Sequence, residues 1–278
     1  MNTYTLIADS GSTKTDWALV TFRATTQGIS PVHQSEDTIL AILQHELLPQ
    51  LGEAQVAPAD VLSVEFYGSG VLPHLESKLE RLLSTVFPHA QSIQARSDML
   101  GAARALCGHR EGLACILGTG ANSCLYDGQD IVQNTPPMGY ILGDEGSGAV
   151  LGRMLLNAIY KERLFDGARE LFERAYSLSM TDVIERVYRQ PMANRWLASL
   201  APFAHQHLDK PEVSNLVVQN FRSFISHNLV PYHRPDLPIA AVGSIAYYFQ
   251  EQLRQAATLE GYSLGRILRS PIEALAQR

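Results

Sequence analysis

The chain has 278 residues, of which 46% are hydrophobic and 18% charged, a composition typical of a globular protein with one large domain or two smaller ones. Its formal net charge of −6 argues against nucleic acid as a partner, because proteins that bind a phosphate backbone usually carry a basic surface. No stretch approaches the roughly 20 apolar residues that span a bilayer, and no targeting signal is recognisable. We therefore expect no membrane partner and a cytoplasmic location, where the three cysteines would stay reduced.

The first part of the chain alternates short apolar runs with longer amphipathic runs, which predicts an α/β fold. The predicted strands are 4–8, 17–22, 61–67 and 92–95. The predicted helices are 35–48, 73–87 and 98–106, with Ser35 as the N-cap of the first.

The strand–turn–strand pattern of the N-terminus then returns, which suggests a duplicated architecture. The predicted strands here are 113–117, 123–126 and 239–242, and the predicted helices are 146–160, 167–177, 181–188, 212–228 and 245–257. Ser270 and Pro271 predict an N-cap and first helical residue for a last helix. We expect two domains, 1–108 and 109–278, and leave open whether the last helix packs back on the first.

The first motif is the polar turn at residues 9–15, between the first two predicted strands. Glycine at position 11 lets backbone N–H groups approach a phosphate closely. The remaining donors are Ser12, Thr13, Lys14 and Thr15. Asp9, at the end of a buried strand, could hold Mg²⁺ through water. The alternative is a hairpin turn that is merely rich in small polar residues.

Two further glycine turns follow in the second half. Gly118, Thr119 and Gly120 connect two predicted strands, and Gly243 with Ser244 connects a buried strand to a helix. The first would bind β- and γ-phosphates opposite the N-terminal turn, and the second would accept a base and ribose. Each signal is weak alone, since a Gly-Ser turn before a helix is usually a cap. Their order along the chain makes them informative together.

Two acidic sites have a functional and a structural interpretation. Asp98 could accept a proton from a reacting hydroxyl, or it could cap the helix that it begins or stabilise the dipole of that helix. Asp144 and Glu145 could accept hydrogen bonds from a substrate, or they could stabilise the positive end of the helix that follows.

The three glycine turns resemble the phosphate-1, phosphate-2 and adenosine motifs of the actin/hexokinase/Hsp70 ATPase superfamily. More closely, residues 9–17, 139–148 and 270–273 resemble the BadF/BadG/BcrA/BcrD ATPase family, and within it the N-acetylglucosamine kinase-like members. The resemblance covers essentially the whole chain. It implies two ribonuclease H-like domains with a cleft between them, ATP and Mg²⁺ as cofactors, and phosphorylation of a hydroxyl of N-acetylglucosamine or a related amino sugar.

The resemblance also implies roles for particular residues. Asp98 becomes the general base, and the expected sugar contacts are Ser30, Asp98, Thr119, Gly139, Tyr140, Asp144 and Glu145. The chain departs from the family at Ser30, where members typically have Asn beside Pro. Serine offers one hydroxyl in place of an amide donor and acceptor, so the exact sugar stays open.

Two alternatives to a kinase come from other functional classes. A nucleotide-dependent activator of the broader family would need cysteines in a loop for an iron–sulfur cluster, whereas Cys107, Cys115 and Cys124 fall in a predicted helix and two strands. A sugar-sensing protein would bind without phosphorylating, and an intact Asp98 argues against it. The ROK sugar kinases commonly add a Cys/His zinc cluster that this chain lacks. A homodimer is the candidate assembly.

Overall fold

The protein is described by a computed structural model that covers residues 3–11 and 13–277. Its internal contacts divide the chain into two compact units. The first comprises Met1–Gly108 with Ser270–Arg278, and the second comprises His109–Arg269. Each unit has its own hydrophobic core and its own five-stranded sheet.

The first unit is a mixed sheet flanked by helices. Its strands are β1 (Tyr4–Ser10), β2 (Lys14–Leu19), β3 (Phe22–Gln27), β4 (Val61–Gly68) and β5 (Ser92–Ser97). Its helices are α1 (Glu36–Ile42), α2 (Leu48–Glu53), α3 (Pro73–Val86) and α4 (Asp98–Cys107). The strand order is β3-β2-β1-β4-β5, with β1, β2 and β3 antiparallel and β1, β4 and β5 parallel. Trp17 lies at 0% exposure in the core and donates its indole N–H to Thr26 at 3.0 Å.

The second unit repeats this sheet and adds more helices. Its strands are β6 (Gly112–Leu117), β7 (Ala121–Tyr126), β8 (Ile131–Gln133), β9 (Ile239–Val242) and β10 (Leu264–Leu268). Its helices are α5 (Gly139–Leu142), α6 (Gly148–Tyr160), α7 (Ala168–Tyr176), α8 (Met180–Tyr188), α9 (Ala193–Ala198), α10 (Ala201–Gln206), α11 (Pro211–Phe224), α12 (Ser244–Tyr248) and α13 (Gln250–Leu259). The order β8-β7-β6-β9-β10 matches that of the first sheet strand for strand, which confirms the predicted duplication.

The chain ends with helix α14 (Ile272–Leu275), which packs on β1, β2 and α4 of the first unit. Pro271 occupies the N-cap position, and no side chain caps this helix. The predicted cap by Ser270 is therefore wrong, and the helix begins one residue after the predicted first position. Among the described helices, none has the length and hydrophobicity needed to cross a membrane.

One predicted strand is wrong in a way that matters for the first motif. The strand predicted at 17–22 ends at Leu19, which pairs directly with Phe22 across a two-residue turn. Val20 in that turn is 73% exposed, so the apolar run that suggested one strand spans a reversal of the chain. Strand β2 instead begins at Lys14, which places most of the predicted phosphate turn inside a β-hairpin.

Two predicted helices contain a one-turn π-helix, at Leu43–Leu47 and Ile225–Leu229. In each case the next residue, Leu48 or Val230, donates its N–H to the carbonyl five residues back. A proline then follows, and it has no N–H to continue the normal helical pattern. The helix predicted at 245–257 is likewise divided, because Phe249 leaves helical geometry between α12 and α13.

Candidate active site

The first motif forms the tip of the β1–β2 hairpin. Asp9 lies opposite Asp16 and Ser10 lies opposite Thr15 in the antiparallel register. Because side chains alternate between the faces of a sheet, the two acids share one face and the two hydroxyls share the other. The Gly11 N–H closes the turn by donating to the Lys14 carbonyl at 3.0 Å.

Thr15 has a structural role that differs from the predicted one. Its side chain is fully buried, its hydroxyl lies 2.7 Å from that of Ser10, and it donates to the Gln27 carbonyl at 3.2 Å. The N–H of Ile29 donates to both hydroxyls. Thr15 therefore fixes the shape of the hairpin, and its hydroxyl is not exposed to a phosphate.

The remaining donors of the turn are more accessible. Gly11 and Thr13 are exposed, whereas Ser12 lies outside the described residues. Lys14 forms an ion pair with Asp16 at 2.6 Å, and its side chain is 61% exposed. A surface ion pair of this kind contributes about 0–1 kcal/mol, so Lys14 can exchange Asp16 for a phosphate at little cost.

Asp98 is the first residue of α4 and directly follows strand β5. Ser97 is the N-cap of that helix and accepts a hydrogen bond from Leu100, so Asp98 is not the cap, whereas its place in the first turn still suits the helix dipole. One Asp98 oxygen accepts the N–H of Met99 at 2.8 Å. Burial raises the pKa of Asp98 from 3.8 to about 6, although hydrogen bonds from backbone N–H groups oppose the shift. A carboxylate with such a pKa suits proton transfer near neutral pH.

Asp9 has the larger shift of the two acids. Burial raises its pKa from 3.8 to about 7, and repulsion from Asp98 and Asp16 adds to this effect while Lys14 opposes it. Two carboxylates thus repel that of Asp9 in the same unit, with one lysine nearby. This surplus of negative charge suits a cation.

Within residues 3–11 and 13–277, no three His, Cys, Asp or Glu side chains converge as a metal centre.

Ser30 lies in the same unit, in the segment between β3 and α1. It is 8% exposed, and its N–H donates to the Gln34 side chain at 2.8 Å. A Cβ on Gly70 would lie 2.7 Å from the Ser30 hydroxyl oxygen, so this hydroxyl sits against the Gly70 backbone.

The second motif is attached to the start of helix α6. The N–H of Gly148 donates to the Gly118 carbonyl at 2.8 Å, and the N–H of Ala149 donates to the Thr119 carbonyl at 3.2 Å. Thr119 is exposed, so its side chain is available to a ligand. The first N–H groups of the helix have no partner within the helix, and here they hold the turn in place by hydrogen bonds to its carbonyls.

The third motif touches the second. Gly243 has φ +121°, and a Cβ there would lie 2.3 Å from the Leu117 carbonyl oxygen. Beside this contact is a cavity of about 260 Å³ that includes two of the predicted motifs. Its lining residues are Gly118, Thr119, Arg195, Ala198, Ser199, Ser244 and Ile245. A larger cavity of about 450 Å³ between α6 and α11 contains no predicted site residue, so cavity size does not identify the site.

The segment at residues 139–147 packs beside the second motif. The Asp144 carboxylate lies against Gly120, where a Cβ would approach it to 3.1 Å. Burial raises the pKa of Asp144, and a backbone hydrogen bond from Ala121 lowers it. Glu145 lies 3.3 Å from the His227 ring and 3.4 Å from the Asn228 amide nitrogen.

The apolar end of this segment is more open. Tyr140 is partly buried against the hydrophobic core of the second unit, and Gly139 is exposed with φ +73°. Met138 is 63% exposed and adopts φ +58°, a left-handed conformation uncommon for residues other than glycine. Such backbone strain is often found at binding sites.

Comparison with known proteins identifies the family. The chain matches no family model and no curated protein. Among solved structures it is similar to a protein from Porphyromonas gingivalis provisionally named an N-acetylglucosamine kinase, with 46% identity over 98% of this chain and 97% of the other, and a TM-score of 0.94. The chain belongs to the N-acetylglucosamine kinase-like family.

More distant structures agree on the fold. A provisionally named N-acetylglucosamine kinase from Chromobacterium violaceum has 17% identity, covers 99% of this chain and 98% of its own, and gives a TM-score of 0.70. A ROK hexokinase from Thermus thermophilus has 18% identity over 100% of this chain and 98% of its own, with a TM-score of 0.52. These confirm the predicted actin-like ATPase fold with its two α/β units; the wider BadF/BadG/BcrA/BcrD grouping stays a prediction.

Sequence reasoning missed several residues that the structure places at the candidate site. Asp16 is only two residues from Lys14, and its place opposite Asp9 required the strand register. Arg195 and Ser199 come from a region with no predicted element, and they line the cavity beside the second motif. Asn228 lies within a predicted helix, where no local pattern marks it as a partner of Glu145.

Proposed function

We propose that the protein is an ATP-dependent kinase that phosphorylates a hydroxyl of N-acetylglucosamine or a related amino sugar. The observation that carries the proposal is the 46% identity, over 98% of the chain, to a protein provisionally named as such a kinase. Fold alone does not determine function, so the residues must also suit phosphoryl transfer. The first and second units each contribute groups with the required chemistry.

Asp98 is the proposed general base. One of its oxygens is held by Met99, which leaves the other to accept the proton of the sugar hydroxyl as that hydroxyl attacks the γ-phosphorus. Because its pKa is raised, Asp98 accepts a proton more readily than an aspartate with an ordinary pKa. The hydroxyl oxygen forms the new bond to phosphorus, and the bond to the leaving β-phosphate oxygen breaks.

The proposed nucleotide contacts come from all three glycine motifs. In the first unit these are Gly11, Ser12, Thr13 and Lys14; in the second they are Gly118, Thr119, Gly120, Gly243 and Ser244. Asp9 would hold Mg²⁺ through water, and that ion would neutralise phosphate charge. The cavity beside Ser244 suits part of a nucleotide, because it combines open glycine backbone, hydroxyls and the Arg195 guanidinium.

The proposed sugar contacts are the carboxylates of Asp144 and Glu145, supported by Gly139, Tyr140, Thr119 and Ser30. Carboxylates accept hydrogen bonds from sugar hydroxyls, and an aromatic ring can pack on the apolar face of a sugar or on an acetamide. Glu145 is already oriented by His227 and Asn228. We also propose a cytoplasmic location, and a homodimer as the assembly to be tested by size measurement in solution.

The test is a coupled assay of ADP release in the presence of N-acetylglucosamine, glucosamine, glucose or no sugar. We expect release that depends on Mg-ATP and is fastest with N-acetylglucosamine. Equal release with and without sugar would replace the proposal with a plain ATPase. Sugar binding without release would indicate a sensor, and mass spectrometry of the product would identify the phosphorylated compound.

A further inference from the structure

Asn220 is a fully buried polar residue on helix α11 that none of the motifs includes. It is 0% exposed, its Oδ1 accepts the N–H of Gly146 at 3.0 Å, and its Nδ2 donates to the carbonyl of Ser147 at 3.2 Å. A buried amide is costly unless both of its ends are paired. Here both ends bind the backbone of one two-residue segment.

That segment lies between two parts of the candidate site. Immediately before it is Glu145, a proposed sugar contact. Ser147 is the N-cap of α6, accepting the N–H of Val150 at 3.1 Å, and the next two N–H groups hold the carbonyls of Gly118 and Thr119. The Asn220 amide therefore binds the short piece of backbone that joins the sugar acids to the phosphate turn.

The face of α11 that carries Asn220 continues into the π-helical turn Ile225–Leu229, and it makes two more contacts with this region. Phe224, four residues after Asn220, packs closely on Gly146: a Cβ added to Gly146 would lie 2.8 Å from the Cβ of Phe224. Gly146 also has φ +81°. Asn228, another four residues on, reaches Glu145. Residues four apart share a helix face, so one row of side chains secures the whole turn.

We propose that Asn220 is a positioning residue for the kinase reaction, fixing Asp144 and Glu145 relative to the Gly118–Gly120 turn. The inference rests on the proposed function. The amide accepts from the Gly146 N–H through one terminal atom and donates to the Ser147 carbonyl through the other, without carrying a charge. An ionised aspartate keeps the first bond and turns an acceptor toward the Ser147 carbonyl, while leucine has the same branching at Cγ and loses both bonds.

The experiment compares Asn220→Asp and Asn220→Leu with the control Val218→Ala. Val218 is buried on α11 but lies two residues from Asn220, which places it on another face of the helix. All variants are purified as full chains, and their melting temperatures are measured first. The steady-state constants for N-acetylglucosamine and for ATP are then determined separately.

We expect Asn220→Leu to lower kcat/KM for the sugar by about 10–100-fold, because small displacements of positioning groups have effects of this size. Asn220→Asp should also lower kcat/KM, because its carboxylate would have no proton to donate to the Ser147 carbonyl. In both variants the KM for ATP should change less than the KM for sugar. The Gly146 amide should also exchange hydrogen faster in Asn220→Leu than in Val218→Ala. This exchange measurement does not need activity, so it remains informative if Asn220→Leu is only partly active.

The outcomes separate the two proposals. A wild-type protein with no sugar-dependent ADP release overturns the proposed function and the catalytic half of this inference together. An active wild type in which Asn220→Leu and Val218→Ala lose stability and kcat/KM equally overturns the positioning role alone. Unchanged exchange at Gly146 in Asn220→Leu would likewise contradict it.

Discussion

At the scale of single residues, the first unit holds two acids with different expected roles. Both Asp9 and Asp98 have raised pKa values, but repulsion from neighbouring carboxylates contributes to the shift of Asp9. Burial is the largest cause of both shifts, and Asp9 differs in the added repulsion from Asp98 and Asp16. A cation would relieve that added repulsion, which supports the proposed role of Asp9 in holding a metal ion. No such repulsion contributes to the shift of Asp98, whose pKa of about 6 suits the proposed proton exchange with a sugar hydroxyl.

The role of Asp98 leads to a direct test. Asp98→Asn keeps the shape of the side chain and the acceptor for Met99 but removes the basic carboxylate. We expect turnover to fall by about 10²–10⁴-fold, with ATP binding largely retained. The measurement is ADP release together with nucleotide affinity, and Asp37→Asn in the exposed first turn of α1 serves as the control. Full turnover in Asp98→Asn would remove this residue from the mechanism.

The shift at Asp9 has a consequence for stability. A pKa raised from 3.8 to about 7 means that the folded protein binds this proton more tightly than the unfolded chain. Between these pH values the folded state holds more protons, so the free energy of unfolding falls as pH rises. Asp9→Asn abolishes this loss, so it should raise the melting temperature more at pH 8 than at pH 5, by about 2–4 °C for each kcal/mol recovered.

That comparison is made without nucleotide and with a chelator present, so that no cation compensates the charge. Asp37→Asn again provides the control. An Asp9→Asn variant whose melting temperature differs from wild type by the same amount at both pH values would show that Asp9 is not protonated near neutrality in the folded state.

At the scale of elements, the contact between Gly243 and the Leu117 carbonyl joins the end of β9 to the end of β6. Parallel strands that end side by side bring their loops together, and here the loops are the second and third glycine motifs. The contact allows no side chain at Gly243, and its φ of +121° also disfavours one. The glycine is thus required by two independent constraints.

Comparing Gly243→Ala with Gly261→Ala tests the close contact, because both glycines have positive φ but only Gly243 has a neighbouring atom where a Cβ would lie. Gly261 has φ +80°, and a Cβ there would have no neighbouring atom within 4 Å, so alanine meets only backbone strain, about 1–2 kcal/mol. Gly243, with φ +121° and ψ 162°, lies in a region essentially restricted to glycine, so its backbone strain is at least as large. The collision there adds about 1–3 kcal/mol and displaces the Gly118 turn. We expect Gly243→Ala to lose more stability and to weaken nucleotide binding, as measured by denaturant unfolding and titration. Equal effects in the two variants would show that the close contact is unimportant.

The sequence predicted most elements correctly because their apolar periodicity is strong. It missed β3, where Arg23, Thr25 and Gln27 are exposed and the inward positions hold only Ala24 and Thr26, too little apolar surface to signal a strand. It also missed β10, an edge strand without a fully buried residue. The two π-helical turns were also missed. Each precedes a proline, but the apolar spacing typical of a helix continues through both turns and gives no sign of them.

The site was predictable only where a motif is contiguous. Asp9, Gly118 and Gly243 stand in recognisable turns, whereas Asn220 lies 74 residues after the Gly146 N–H that it accepts. Nothing local distinguishes a buried asparagine that binds a turn from one on a helix surface. The burial of Thr15 also depended on the hairpin register, which the misplaced second strand had obscured.

At the scale of the whole molecule, the chain returns to its first unit after completing the second. Helix α14 packs on β1, β2 and α4, the elements that carry Asp9 and Asp98. Two interactions could hold it there. Ile272 and Leu275 are buried, and Arg23 forms a two-pronged ion pair with Glu273 in which both N···O distances are 2.7 Å.

The magnitudes of these interactions favour apolar packing as the main attachment. Leu275 is 2% exposed, and truncating such a side chain costs about 2–5 kcal/mol. The Arg23 and Glu273 side chains are 37% and 60% exposed, and ion pairs at that exposure contribute about 0–1 kcal/mol. Leu275→Ala should therefore destabilise the protein several-fold more than Arg23→Gln in denaturant unfolding. It should also lower turnover, because α14 supports the helix that begins at Asp98. A larger loss of stability in Arg23→Gln would mean that the ion pair, rather than the apolar contact, secures the C-terminal segment to the first unit.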